Sequence, residues 1–147
     1  MKLILAIGSD HRGFAIKELL IKNNTIEHIE IEWRDVGCFS AERCDYPPFA
    51  AQVAHLVLEQ EAHFGVLLCG SGIGMTIAAN RFKKIYAGLV WNIESARLAR
   101  SDDNINIISL PTDFIDYAQA VAIIGVSITT EFKGGRYAER LNMIDVY

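Results

Sequence analysis

The sequence predicts an α/β protein: a five-stranded parallel sheet covered by helices on both faces, three layers in all, with a helical tail. Three observations carry that reading. Short apolar runs alternate with segments of helical periodicity along the whole chain. Most of those runs lack a polar face, as strands buried on both sides do. No linker and no internal repeat divides the chain, so its 147 residues read as one domain, 1–147.

Each element follows in order. KLILAIGSD, from Lys2, is an apolar run ended by Gly8 and reads as the first strand. Arg12 to Asn23 reads as a helix, with Ile16, Leu19 and Leu20 on one face. In EHIEIEWRDVG charged and apolar residues alternate from His28 to Trp33, which marks a half-covered strand near a sheet edge. Pro47 and Pro48 open a second helix, where the missing proline N–H is harmless, and Phe49, Val53, Leu56 and Val57 form its apolar face. FGVLLCG is a second fully apolar strand. Gly74 to Arg81 reads as helix, YAGLVW as strand, Ile93 to Arg100 as helix and INIISL as the fifth strand. Phe114, Tyr117, Ala118, Val121, Gly125 and Ile128 recur at helical spacing and mark a long helix. The tail GGRYAERLNMIDVY opens on a glycine pair and turns amphipathic. As a helix it sets Arg136 and Arg140 on one face. Its apolar Leu141, Met143 and Ile144 need a surface to bury against.

Composition excludes several functions. A net charge of −4 argues against nucleic-acid binding, which uses a basic face. No apolar run reaches the ~20 residues of a membrane span, and Asp10 and Arg12 cut short the start that resembles a signal peptide. The chain therefore reads as cytoplasmic. Cys38, Cys44 and Cys69 form no CxxC pair, which argues against a disulfide framework or a zinc site.

In an open parallel sheet, ligands bind beyond the carboxyl ends of the strands. Three segments are expected there: GSDHRG, CGSGIG and ARSDDNIN. CGSGIG fits no P-loop, because no lysine follows its glycines, and no dinucleotide fingerprint, because its spacing is GxGxG in a later strand. A cysteine-phosphatase loop needs an arginine where Met75 stands. What remains is a thiol at a strand end, the Ser71 hydroxyl and a row of backbone N–H groups opening a helix, a place that stabilises negative charge. A base beside an oxyanion cradle is what proton abstraction next to a carbonyl requires. A buried cysteine before a tight turn fits the loop equally well. Asp10 and His11, at the first strand's end, favour a ligand site near Cys69. Asp45 and Tyr46 stand before a helix start, and Asn80 and Arg81 end the glycine loop's helix.

Taken together, GSDHRGF, ERCDYPPFA, LLCGSGIGMTIAANR and GGRYAER, in that order and spacing, resemble the type B ribose-5-phosphate isomerases and the related galactose-6-phosphate isomerase subunits. The likeness covers nearly the whole chain. It implies a Rossmann-like fold, a homodimer with shared active sites, no metal or organic cofactor, and aldose–ketose isomerisation of a sugar phosphate through an enediolate, most simply ribose 5-phosphate to ribulose 5-phosphate in the pentose phosphate pathway. It makes Cys69 the base that moves a proton between C1 and C2. Ser71 and the N–H groups of Gly70, Gly72, Ile73 and Gly74 hold the enediolate oxygens in this reading. Asp10 and His11 contact sugar and phosphate, Tyr46 lines the sugar pocket, and Arg136 and Arg140 clamp the phosphate across the dimer interface.

The chain also departs from that pattern. Asp102, Asp103 and Asn104 stand where the family has His-Asn-Asp, whose histidine opens the sugar ring. Asp113 stands in place of an arginine, and Tyr137 in place of a histidine. Asp102 and Asp103 are kept as catalytic and substrate-binding candidates. Asp102 has three readings: it accepts the anomeric proton while His11 donates, it is raised in pKa by Asp103 and donates itself, or it caps a turn. A carboxylate at 113 is expected to repel a phosphate unless it faces elsewhere or is protonated. Two other functions follow from these departures: an isomerase of another or unphosphorylated sugar, and a catalytically silent sugar-phosphate-binding subunit.

Overall fold

In the computed structural model, which describes residues 1–147, the chain runs β1 (Lys2–Ser9), α1 (Phe14–Ile21), β2 (Thr25–Ile26), β3 (Ile29–Asp35), α2 (Pro47–Leu58), β4 (Phe64–Cys69), α3 (Ile73–Ala79), β5 (Ala87–Leu89), α4 (Ile93–Asp103), β6 (Ile107–Pro111), α5 (Tyr117–Thr129) and α6 (Arg136–Ile144). The sheet order is β2-β3-β1-β4-β6-β5. All five expected strands are present and pair in parallel. The sixth, β2, is a two-residue antiparallel addition on the outer edge of β3. It is too short to show as a hydrophobic period in sequence.

The core lies in two layers, one on each face of the sheet. On one face, Leu5, Ile7, Val66, Leu68, Ile108 and Leu110 pack against Leu20 of α1, Ala96 of α4 and Ile123 and Ile124 of α5. On the other, Ala6, Leu67, Cys69 and Ile107 pack against Ala50 and Val53 of α2 and Met75 and Ala79 of α3. The two sets alternate along β4, so the unbroken apolar run FGVLLC supplies both cores at once.

Element limits differ from expectation where polar side chains intervene. α1 starts at Phe14 rather than Arg12, because the Asp10 carboxylate binds the Arg12 and Gly13 N–H groups and holds them in a turn. α5 starts at Tyr117, after a reciprocal capping box of Asp116 and Gln119, which leaves Phe114 outside the helix and exposed. α4 runs on to Asp103 and ends at Asn104 in the left-handed conformation. The segment ARSDDNIN therefore leaves no strand's carboxyl end. Its first half is helix, and it approaches β6 from the amino end.

Both sheet edges are short. Beyond Ile31, β3 carries Glu32 and Arg34 outward, with Glu32 paired to Lys2 at 2.7 Å and to Arg34 at 3.0 Å. On the far edge the Asn80 side chain binds both the N–H and the C=O of Ala87, at 2.8 and 2.9 Å. No helix is long and apolar enough to cross a membrane.

Candidate active site

The chain runs from β1 out to β3 and then crosses back over β1 to β4, so β1 and β4 flank the switch point where open sheets of this kind form a ligand crevice. The loops after β1, β4 and β6 are tied together there. The Asp10 N–H donates to Leu68 O at 3.2 Å, Thr112 N–H to Cys69 O at 3.0 Å and Asp113 N–H to Gly70 O at 3.0 Å. The Thr112 hydroxyl donates to Arg12 O and to Cys69 O. The loop after β3 joins through Cys38, whose N–H donates to Ser9 O at 2.9 Å.

Cys69 is the last residue of β4 and is buried. Its Sγ accepts the Gly72 N–H at 3.2 Å. Gly72 has φ +74°, a left-handed conformation that glycine adopts freely and that folds the N–H back toward the sulfur. Ser71 Oγ accepts the Ile73 N–H, also at 3.2 Å. Two of the four loop N–H groups expected to hold an oxyanion are thus engaged with the loop's own sulfur and hydroxyl. Gly70 and Gly74 serve a second purpose, because their bare Cα atoms are covered by other site residues. A Cβ on Gly74 would lie 2.5 Å from Cζ of Tyr46, so the Tyr46 ring rests on the start of α3. A Cβ on Gly70 would collide with the Arg12 guanidinium.

His11 Nδ1 accepts the Cys44 N–H at 3.3 Å. That bond places the proton of the neutral ring on Nε2, which leaves a donor for a ligand. Asp10 is 6 % exposed, and its Oδ1 accepts from Arg12 and Gly13 at 2.9 and 3.1 Å. Asp10 therefore shapes the loop that presents His11.

Two further residues belong to this cluster. The Arg12 guanidinium pairs with the Asp113 carboxylate across the end of β4. Asp113 does not present a bare carboxylate to the crevice, nor is protonation needed to quiet it: a neighbouring cation compensates it. The signal in the sequence was opposite charges on loops leaving β1 and β6, but it becomes visible only once β4 is known to lie between them.

The remaining candidates do not reach Cys69 within one chain. Asp102 and Asp103 end α4 beside the amino end of β6, whereas Cys69 is level with Pro111 at the carboxyl end. Four strand residues separate the two levels, roughly 13 Å at the usual rise per residue. Asp102 accepts from Lys133 Nζ at 2.8 Å and from the Ser101 hydroxyl at 2.9 Å. These bonds, Lys133 first, hold its carboxyl below the usual carboxylate value. The reading in which Asp103 raises Asp102 and lets it donate a proton is therefore overturned: Asp102 is ionised at neutral pH. Asp103 is exposed and lines a cavity of about 710 Å³ between the α3–β5 segment and α6, walled by Phe82, Ile85, Leu141 and Ile144. In the tail, Lys133, Arg136 and Arg140 surround the Tyr137 ring, with cation-to-centroid distances of 4.9, 5.3 and 5.3 Å. Arg136 and Arg140 do share one face of α6, as their spacing requires.

The candidate residues fall into two groups. One end of the sheet holds a thiol, a glycine cradle, an imidazole and a tyrosine. The other end holds a cluster of cations with one compensated carboxylate.

Comparison with known proteins gives a consistent result. The family model described as Ribose/Galactose Isomerase matches residues 5–144. The ribose-5-phosphate isomerase B of Escherichia coli is 34% identical over 140 residues, covering 95% of this chain and 93% of that one. The crystal structure of a ribose 5-phosphate isomerase from Thermotoga maritima superposes with a TM-score of 0.88 at 42% identity, over 99% of both chains. Ribose-5-phosphate isomerase B of Mycoplasma genitalium, solved with bound ribulose-5-phosphate, superposes with a TM-score of 0.88 at 32% identity, over 98% of this chain and 95% of that one.

Proposed function

Since the chain belongs to the ribose/galactose isomerase family and is a sugar phosphate isomerase, we propose that it interconverts ribose 5-phosphate and ribulose 5-phosphate, with Cys69 as the base. The observation that carries the reading is the placement of the thiol. It ends β4 inside the crevice, buried, with a backbone N–H already directed at its sulfur.

The reaction then runs as follows. The Cys69 thiolate takes the proton from C2 of the open-chain aldose, and the C2–H electron pair moves into the C1–C2 bond, pushing charge onto O1. The resulting enediolate is held by the N–H groups of Gly70 and Gly74 and by the Ser71 hydroxyl, donors fixed in place before charge develops. The thiol returns its proton to C1, and the O2 proton transfers to O1 through the Ser71 hydroxyl. His11 offers Nε2–H to the substrate, and Tyr46 walls the sugar site against α3.

The two groups of candidate residues support a homodimer in which α6 of one protomer delivers Arg136 and Arg140 to the crevice of the other. Exposed apolar side chains agree with such a contact: Ile73 and Ile77 on α3 and Met143 and Ile144 on α6 all face solvent in the single chain. The phosphate would then bind between chains, remote from the reacting carbons.

Replacing Cys69 by Ala is expected to lower the rate of proton exchange at C2 by ~10²–10⁴-fold with the fold unchanged. The measurement is solvent-deuterium incorporation into ribulose 5-phosphate, beside a circular dichroism spectrum. Near-normal exchange in the variant returns Cys69 to the status of a packed thiol and removes the mechanism.

A further inference from the structure

We propose that Arg12 is the protomer's own ligand for the anionic end of the substrate, and that Asp113 is a positioning residue that sets how strongly the anion is held. The inference deepens the function proposed above and rests on it.

The base of the Arg12 side chain is fixed on both sides. Its N–H donates to the Asp10 carboxylate at 2.9 Å, and its C=O accepts the Thr112 hydroxyl at 3.2 Å. Its guanidinium lies on Gly70, the residue next to Cys69, in space that any side chain at 70 would fill. The head group therefore sits in the crevice and not on a remote surface.

It is also available. The Arg12 side chain is 54% exposed and that of Asp113 37%. Asp113 is the one partner of the guanidinium. A planar guanidinium carries five N–H donors in a fork that matches the oxygens of a phosphomonoester, so most of its capacity is unspent. An ion pair this open to solvent is weak and exchangeable. The other carboxylate of the loop, Asp10, is committed to backbone N–H groups. Asp113 competes with an incoming phosphate directly for Arg12.

Inorganic phosphate serves as the probe, both as a competitive inhibitor of ribose 5-phosphate isomerisation and in calorimetric titration of the intact protein. Arg12→Met is expected to raise the phosphate Ki by ~10–100-fold, the worth of a charge-assisted bond, and to raise KM for ribose 5-phosphate more than it lowers kcat. Arg12→Lys keeps the charge without the fork and falls between Arg12→Met and wild type. Asp113→Asn frees the guanidinium and lowers Ki by ~2–5-fold, the range of an exposed ion pair. If Arg12→Met acted only by exposing Asp113, the double variant Arg12→Met, Asp113→Asn would regain the wild-type Ki; we expect it to stay at least ~5-fold weaker. A phosphate Ki within twofold of wild type in Arg12→Met, or an unchanged or raised Ki in Asp113→Asn, overturns the proposal. Should Arg12→Met fail to fold, Arg12→Lys and Asp113→Asn decide by the same criteria. Phosphate affinity that depends on Arg12 in a protein inactive on every pentose and hexose phosphate would leave this inference standing and remove the proposed function instead.

Discussion

Asp102 shows how two bonds decide a residue's chemistry. Bonded to Lys133 and Ser101, it is held below the usual carboxylate value. Its contribution to stability is therefore present above the unfolded carboxyl value and lost only as the pH falls through the lower, folded one. Between pH 5 and 8 it does not change charge, and it can accept a proton but not give one. Asp102→Asn should leave the pH profile of kcat between 5 and 8 without a new or missing limb, and should spare an open-chain substrate. A limb in that window that disappears in the variant would show that Asp102 titrates there. Two glycines make a second comparison. A Cβ on Gly13 would stand 2.7 Å from the Leu68 carbonyl oxygen, backbone that cannot step aside, whereas one on Gly70 meets the movable end of Arg12. Gly13→Ala should cost ~1–3 kcal/mol in urea unfolding, the range of overpacking. Gly70→Ala should cost less and act mainly on phosphate affinity. The same cost in both would mean that Arg12 is as immobile as the strand.

At the scale of elements, the apolar runs of β1, β4 and β6 were legible from sequence because strands buried on both faces carry no polar alternation. The limits of the helices were not, because capping depends on a few side-chain oxygens that periodicity ignores. Phe114 keeps the spacing of α5 yet lies outside it, and Asp116 is the reason. Asp116→Ala should cost about 1 kcal/mol, a fall of ~2–4 °C in Tm for a chain of this size, read by thermal denaturation. The glycine loop was legible as a cradle. Its pairing with Arg12 was not, since that contact joins distant parts of the chain and needs the β1-β4 neighbourhood to be known. The place of Asp102 and Asp103 beside the tail cations was hidden for the same reason. Their segment looks like a loop at a strand's carboxyl end, but α4 carries it to the opposite end of the sheet.

For the whole molecule, the decisive fact is that thiol and tail cations stand at opposite ends of one sheet. If two chains share each site, a Cys69→Ala homodimer and an Arg136→Ala, Arg140→Ala homodimer are both impaired for different reasons. Mixed under conditions that exchange subunits, they form heterodimers with one intact site and one doubly damaged site. Random exchange should recover about a quarter of wild-type activity per chain, as follows from two-fold symmetry. Activity that stays at the sum of the two parents would place each complete site within one chain.

The sheet's margins have a consequence for the protein's life at high concentration. A fibril grows by adding strands to an open row of N–H and C=O groups. Here the β5 margin is three residues long, and the Asn80 amide occupies both backbone groups of Ala87, as a neighbouring strand would. The opposite margin is covered by β2 at its start and lined with Glu32 and Arg34 beyond it. Neither side offers a template, so the very apolar strands that build the core are kept from recruiting copies of themselves.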